Sequence, residues 1–127
     1  MRTGMLIACV LLIATIATGL MTGSEVKRLS DRYISAAEEL QVMAQQEDWT
    51  RAAETVEAYL NTWEETVPWL QMLINHEDVD YVTLALMRMR AGVMAQDQGT
   101  CYEACSELHE HAEHLYHRDS FTLANIL

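Results

Sequence analysis

The residues whose types and spacing could do chemistry are concentrated near the C-terminus. The stretch TCYEACSELHEHAEHLYH, residues 100–117, contains two cysteines and four histidines, and both residue types bind transition metals. On a helix, Cys101, Cys105 and His109 form a ladder at four-residue spacing. These three residues are therefore the candidate ligands of a metal-binding or redox protein.

The geometry of a single helix nevertheless argues against a metal site in this stretch. A zinc ion needs four ligands at about 2.0 to 2.3 Å. At about 100° per residue, however, the four histidines point in four directions around the polar side of the helix. Cys101 and Cys105 fall on the apolar side with Leu108 and Ala112. We therefore expect buried cysteines, solvated histidines and no metal or cofactor, because further ligands would have to come from another helix or chain.

A second polar cluster, NHEDVD at residues 75–80, could bind a cation or act as an acid and a base. It lies between two apolar helical patterns, where Asn, Asp and His side chains can pair with the free backbone groups of helix ends. Carboxylates in a first helical turn also suit the helix dipole. The cluster is therefore interpreted as a helix cap. Since the sequence contains no nucleophile elbow, phosphate-binding glycine loop or HExxH helix, we expect no catalytic residues and no enzyme.

Four amphipathic helices must position these residues. After residue 23 the chain has one proline, Pro68, few glycines and no strand-like alternation, so the domain is predicted to be all-α. The third helix, from about Val79 to Gln96, carries Leu84 and Met87 opposite its main stripe, which predicts a central helix. The fourth covers about residues 100–116. The main stripes are Val26, Leu29, Tyr33, Ala37, Leu40 and Ala44 in the first helix, Trp49, Ala53, Val56, Leu60, Trp63 and Val67 in the second, and Val82, Ala85, Leu86, Met89 and Val93 in the third.

An internal echo suggests how the helices are arranged. VMAQQEDWTRAAE from Val42 and VMAQDQGTCYEAC from Val93 each end one helix, turn and begin the next, and Asp48 is the predicted N-cap of the second helix. Two helical hairpins in tandem would produce this echo. We therefore predict a tetratricopeptide-like arrangement of two hairpins, although such arrays usually need three or more repeats.

The N-terminal segment from Gly4 to Gly23 contains no charged residue. As a helix it reaches about 30 Å, the thickness of a hydrocarbon core. We expect an uncleaved signal-anchor, with residues 1–23 as the membrane anchor, residues 5–21 in lipid, and residues 24–127 as an acidic helical bundle domain. The alternative is a signal peptide cleaved after the small residues Ala17 and Gly19, which would release a secreted soluble protein. Cys9 ends a lipobox-like tetrapeptide, but too few apolar residues precede it for lipidation.

Charge limits the partners and bears on the orientation. After residue 23, seven Lys and Arg (eight in the chain minus Arg2) stand against nineteen Asp and Glu, a net charge near −12. Nucleic acid and anionic lipid would repel such a domain. Lys27, Arg28 and Arg32 follow the span, and this positive charge does not favour export. A short tail before one apolar segment is nevertheless typical of exported domains, so we expect a single-pass protein of the cytoplasmic membrane with an extracytoplasmic domain.

The three tryptophans are predicted to divide between core and surface. Trp49 and Trp63 lie on one face of the second helix and are predicted to anchor the core. Trp69 follows Pro68, and we expect it to be exposed at a partner surface or at the membrane interface.

Several blocks in a fixed order carry a resemblance to a known family. They are the apolar N-terminus, Glu47-Asp48-Trp49 with Ala52 or Ala53, Trp63, INHEDVD at residues 74–80, Leu86 with Arg88, and Asn125-Ile126-Leu127. Through them nearly the whole chain resembles the family catalogued as domain of unknown function four-three-six-three, small N-terminally anchored proteins of clostridia and related Gram-positive bacteria. That family usually has Asp in place of Asn75 and Glu in place of Asp78. The resemblance implies an anchored helical domain and supplies no catalytic residues.

These features predict a membrane-anchored helical scaffold or protein-interaction domain, an accessory component of a membrane complex. The expected partners are membrane lipid around residues 5–21 and another protein, such as a multi-pass membrane protein. We expect no nucleic acid and no small-molecule substrate. The rival hypotheses are the secreted soluble protein and the metal-binding or redox protein that depends on Cys101, Cys105 and His109.

Overall fold

The computed structural model describes the backbone of residues 1–126 and the side chains of residues 1–116. Four α-helices follow one another: α1 (Arg2–Gln45), α2 (Trp49–Leu70), α3 (His76–Met94) and α4 (Gln98–Ile126). The described residues contain no strand, which confirms the all-α prediction. α2 ends two residues after Pro68, which lies inside it.

α1 is a single helix of 44 residues that joins the apolar N-terminal segment to the bundle without a break. Its first buried residue is Val26. An 18-residue window of α1 has a mean hydropathy of 2.4, and none of that window is buried. A helix of this length and composition near the N-terminus could cross a membrane, and a signal sequence has the same features.

The four helices pack in a ring. α1 packs against α2 and α4, and α3 also packs against α2 and α4. In a tandem array of hairpins, the first and last helices would lie apart, but α1 and α4 pack extensively along each other. The tetratricopeptide-like arrangement is therefore not confirmed. The short turns between consecutive helices make neighbours in the ring antiparallel.

The α1–α2 and α3–α4 turns, on which the internal echo falls, share one local structure. Glu47 (φ 56°) and Gln96 (φ 53°) adopt left-handed backbone conformations. The N–H groups of the following Asp48 and Asp97 donate to the carbonyl five residues earlier, at 3.0 and 2.9 Å, which closes the preceding helix. Their carboxylates accept from the N–H three residues later, at 3.4 and 3.3 Å, which starts the next helix. The predicted cap at Asp48 is confirmed. In the structure Asp48 corresponds to Asp97, whereas the sequence echo aligns it with Gly99, two residues later.

Two clusters of buried residues fill the bundle. We call the first the aromatic cluster, because the Trp63 ring lies 4.9 Å from the Tyr33 ring within it. The Trp63 Nε1 donates a hydrogen bond to Thr83 Oγ1 at 2.7 Å. Trp63 is fully buried, which confirms it as a core anchor. Trp49 is only partly buried, and it packs beside the second cluster, which contains Cys101 and Cys105 and which we call the cysteine cluster. The aromatic cluster comprises Val26, Tyr33, Ala36, Ala37, Leu60, Trp63, Leu70, Ile74, Val79, Val82, Ala85, Leu86, Leu108, Ala112 and Leu115, and the cysteine cluster comprises Leu40, Met43, Ala44, Ala52, Val56, Met89, Val93, Cys101, Ala104 and Cys105.

α3 is not a central helix, so that interpretation of its two apolar sides is wrong. Each helix of a ring of four turns one face to the shared core. Val82 and Leu86 of α3 lie in that core, whereas Leu84 and Met87 are exposed on its outer face. The second apolar side is therefore left uncovered by the bundle.

Candidate functional site

The two cysteines near the C-terminus lie inside the bundle. Cys101 is fully buried, and Cys105 is 2% exposed. Burial, together with the nearby Asp97 carboxylate, raises the pKa of the Cys101 thiol. Burial, with Cys101 beside it, raises the pKa of the Cys105 thiol to about 12. Both thiols are therefore protonated near neutral pH, whereas the thiolate is the form that binds metals and attacks oxidants.

Both cysteines are buried members of the core, and Cys101 lies where two helices approach closely. A Cβ added to Gly92 of α3 would lie 3.0 Å from the Cys101 sulfur and 3.1 Å from the Cys101 nitrogen. Elsewhere on α4, the Ala112 carbonyl accepts a hydrogen bond of 2.6 Å from the Ser30 hydroxyl of α1. α4 thus meets both of its neighbours through small residues. Burial in the core accounts for Cys101 and Cys105 as small apolar side chains.

The histidines do not complete a site around these thiols. The His109 side chain is about half exposed and lies 3.9 Å from a glutamate one turn later. His111 stacks on Tyr81 of α3, with ring centroids 4.9 Å apart. His114 is exposed, and the His117 side chain lies outside those described. Among the residues described, no three His, Cys, Asp or Glu side chains are grouped so that they could hold a metal. The expectation of no native metal stays a prediction.

The NHEDVD cluster begins α3, as its capping interpretation predicts. The Asn75 side chain accepts from the Glu77 backbone N–H at 3.1 Å, so Asn75 is the N-cap. Glu77 accepts from the Tyr81 hydroxyl at 2.8 Å, and Asp78 is buried in the first turn. The structure therefore gives these polar groups local roles at a helix end.

An apolar stripe that the bundle does not cover runs along the outer face of α3. It comprises Leu84, Met87, Ala91 and Met94, and we call it the α3 stripe. Leu84 is 61% exposed, Met87 52% and Met94 71%, and Ala91 is exposed as well. Intervals of three, four and three residues are those of the a and d positions of a heptad, the positions through which helices pack in coiled coils. The α3 stripe therefore has the spacing of a helix-binding seam.

Charged residues flank the α3 stripe on both sides. Arg88 pairs with Glu107 of α4, and Arg90 pairs with Glu57 of α2. With Leu84 at an a position, these arginines occupy the e and g positions, where coiled coils carry the charges that select a partner. All four side chains of the pairs are partly exposed, so the pairs contribute little to stability in water. The two ion pairs give the α3 stripe charged edges on both sides.

Sequence reasoning identified the apolar character of Leu84 and Met87 but assigned them to the core. The residues beside Leu84 and Met87 in the helix did indicate that this side of α3 is exposed. Arg88 and Arg90 lie next to the stripe, and long charged side chains are rarely buried unless paired. A central helix should not carry charge along the edges of its second apolar side. The cysteine and histidine stretch, by contrast, drew attention through residue type although it lacks a converging geometry.

Comparison with known proteins gives a family and no activity. No curated protein and no solved structure matches the chain. The family model described as Domain of unknown function (DUF4363) matches residues 20–126. That range begins near the end of the apolar segment and includes all of the bundle. The chain therefore belongs to the DUF4363 family.

Proposed function

We propose that this protein is a membrane-anchored helical interaction domain that binds a helix of a partner protein through the α3 stripe. The observation that carries the proposal is the stripe itself, in which Leu84, Met87 and Met94 are each more than half exposed. Contiguous exposed apolar surface on a soluble domain marks interaction sites. No catalytic step is part of the proposal.

Retention of the N-terminal anchor is the first part of the proposal. Residues 5–21 carry no charge, and the bundle leaves the apolar window entirely uncovered. Water does not tolerate an exposed apolar surface of this extent, so the segment is either inserted in lipid or cleaved from the protein. The continuous α1 helix supports retention because it connects the span directly to the buried Val26. The bundle then stands on the membrane, and we propose that it faces the extracytoplasmic side.

The class of partner follows from the direction of the α3 stripe. α3 lies across the ring from α1, and because neighbours in the ring are antiparallel, α3 runs in the same direction as α1. A helix that leaves the membrane on the α3 side of the bundle, across from α1, can therefore run along the stripe. Heptad spacing fits such a helix better than a loop or a sheet edge. We propose a membrane protein as the partner, such as a multi-pass protein with a helical extension.

A charge-introduction experiment tests this function. The full-length double variant Leu84→Glu, Met87→Glu places two carboxylates on the α3 stripe, and Val42→Glu is the matched control because Val42 is an exposed apolar residue of α1. Wild type and control should copurify an integral membrane protein from detergent-solubilised membranes, and the double variant should lose it while keeping its helix content. The interaction should be reproduced with the two purified proteins. Equal recovery with the double variant would contradict the proposal.

A further inference from the structure

A second exposed apolar group lies at the turn between α2 and α3. Trp69 and Leu73 are each 40% exposed and Met72 is 80% exposed, and we call these three residues the apolar turn. Leu70, which follows Trp69, and Ile74, which follows Leu73, are buried in the aromatic cluster. The turn is thus fixed to the core by two side chains while the other three point outward. It is unrelated to the α3 stripe, which lies along a helix and not at an end of the bundle.

The antiparallel packing of α1 and α2 sets the level of the apolar turn. Tyr33 of α1 packs on Trp63, and further toward the N-terminus of α1, Arg28 and Leu29 line one surface cavity with Trp69. Each step toward the N-terminus of α1 is therefore a step toward the C-terminal end of α2. At about 1.5 Å per residue in both helices, the turn comes level with residues about 22–25 of α1. The uncharged segment of α1 ends at this level, at Gly23.

The backbone N–H groups of the apolar turn already have hydrogen-bond partners within the turn. The N–H groups of residues 71 to 74 donate to carbonyls of Val67, Trp69 and Leu70 at 2.8 to 3.2 Å. Unpaired backbone groups are what keeps most loops out of a lipid environment. Because these N–H groups have partners, the turn can contact the bilayer interface at little cost.

We propose that the apolar turn inserts into the interface of the bilayer that α1 crosses, so that the bundle is held to the lipid at a second point. This inference rests on the anchored state proposed above and does not depend on the α3 stripe. Tryptophan is enriched at membrane interfaces, where its ring meets both apolar and polar surroundings. Arg28 and Arg32 line the cavity beside Trp69 together with Glu25, which pairs with Arg28 at 3.1 Å, so Arg32 is the cation on this surface that a lipid phosphate would meet. A second contact restricts tilting of the bundle about the end of the span.

A pair of exposed methionines provides the probe and its control. Met72 is 80% exposed in the apolar turn, and Met94 is 71% exposed next to the α3–α4 turn at the other end of the bundle. Full-length Met72→Cys and Met94→Cys, each with Cys9→Ala, are labelled with an environment-sensitive fluorophore and reconstituted into phosphatidylcholine vesicles. Label taken up by the Cys9→Ala parent is subtracted, and it should be small because both remaining thiols are buried. Lipids with a nitroxide near the headgroup or near the acyl end serve as quenchers.

The expected result is a blue-shifted emission at position 72 that the shallow nitroxide quenches more than the deep one, with neither effect at position 94. If the protein resists alkaline carbonate extraction but the two positions behave alike, the interfacial turn is wrong and the anchor stands. If carbonate releases the protein from the vesicles, both are wrong. Strong quenching at both positions would also overturn the inference, because it would mean that the bundle lies flat on the membrane.

Discussion

The two apolar sides of α3 have similar composition, but one side is buried in the bundle and the other is exposed to solvent. Leu86 is fully buried in the aromatic cluster, whereas Leu84, two residues earlier on the same helix, is 61% exposed. Periodicity shows which residues share a face, but it does not show whether another helix covers that face. The inner side holds the bundle together, and the outer side is available to a partner. Substitutions on the two sides should therefore have different consequences.

The largest loss of stability is expected where the inner side meets the aromatic cluster. Trp63→Ala would remove a fully buried indole, its edge contact with Tyr33 and its hydrogen bond to Thr83. We expect a loss of about 3 to 5 kcal/mol in the free energy of unfolding. Chemical denaturation of the full chain in detergent micelles measures this loss. Trp69→Ala is the control, and a similar loss there would mean that the core has been misplaced.

The two leucines of α3 compare its sides directly. Leu86→Ala should lower the free energy of unfolding by about 2 to 5 kcal/mol because it leaves a cavity. Leu84→Ala should change it by less than about 0.5 kcal/mol because water already reaches that side chain. The same denaturation experiment compares both variants. Equal losses would show that the outer side is covered within the protein itself.

A smaller effect is expected where α3 approaches α4. Gly92→Ala places a methyl group 3.0 Å from the Cys101 sulfur and 3.1 Å from its backbone nitrogen. Since the backbone cannot yield as a flexible side chain would, we expect a loss of about 1 to 3 kcal/mol. Gly99→Ala is the control, because a Cβ there meets only a carboxylate oxygen of Asp97, at 3.4 Å. A neutral result at Gly92 would show that the two helices are further apart.

The buried thiols predict a loss of stability at high pH. In the unfolded chain a cysteine ionises near pH 8.5, but in the folded chain the pKa of Cys105 is raised to about 12. Folding thus favours the protonated thiol. The contribution of this thiol to the free energy of unfolding is complete below the unfolded pKa and is lost as the pH rises from there toward the folded pKa. We expect a loss of about 2 kcal/mol by about pH 10, measured by denaturation across this range. Cys105→Ala should show less of this loss than wild type, and an unchanged slope would contradict the burial of the thiol.

The sequence was sufficient to predict the helical class, the cap at Asp48 and the buried position of Cys101 and Cys105, because each depends on local chemistry or on one helical period. It was not sufficient to predict the ring of helices. The echo around Val42 and Val93 falls on two turns of the same kind, and equal turns occur both in tandem hairpins and in a closed bundle. The α3 stripe was misassigned for a related reason, since the coverage of Leu84 depends on where the other three helices lie.

Site-specific photo-crosslinking in cells tests the central claim that the α3 stripe binds a helix of a membrane protein. A photoreactive amino acid is placed at Leu84, Met87 or Met94, and at Val42 and Thr50 as exposed controls on other helices. We predict that the three stripe positions cross-link one integral membrane protein through a helical segment and that the two controls do not. If the stripe positions cross-link nothing, or no more than the controls, the α3 stripe is not the binding surface and the proposed function is wrong.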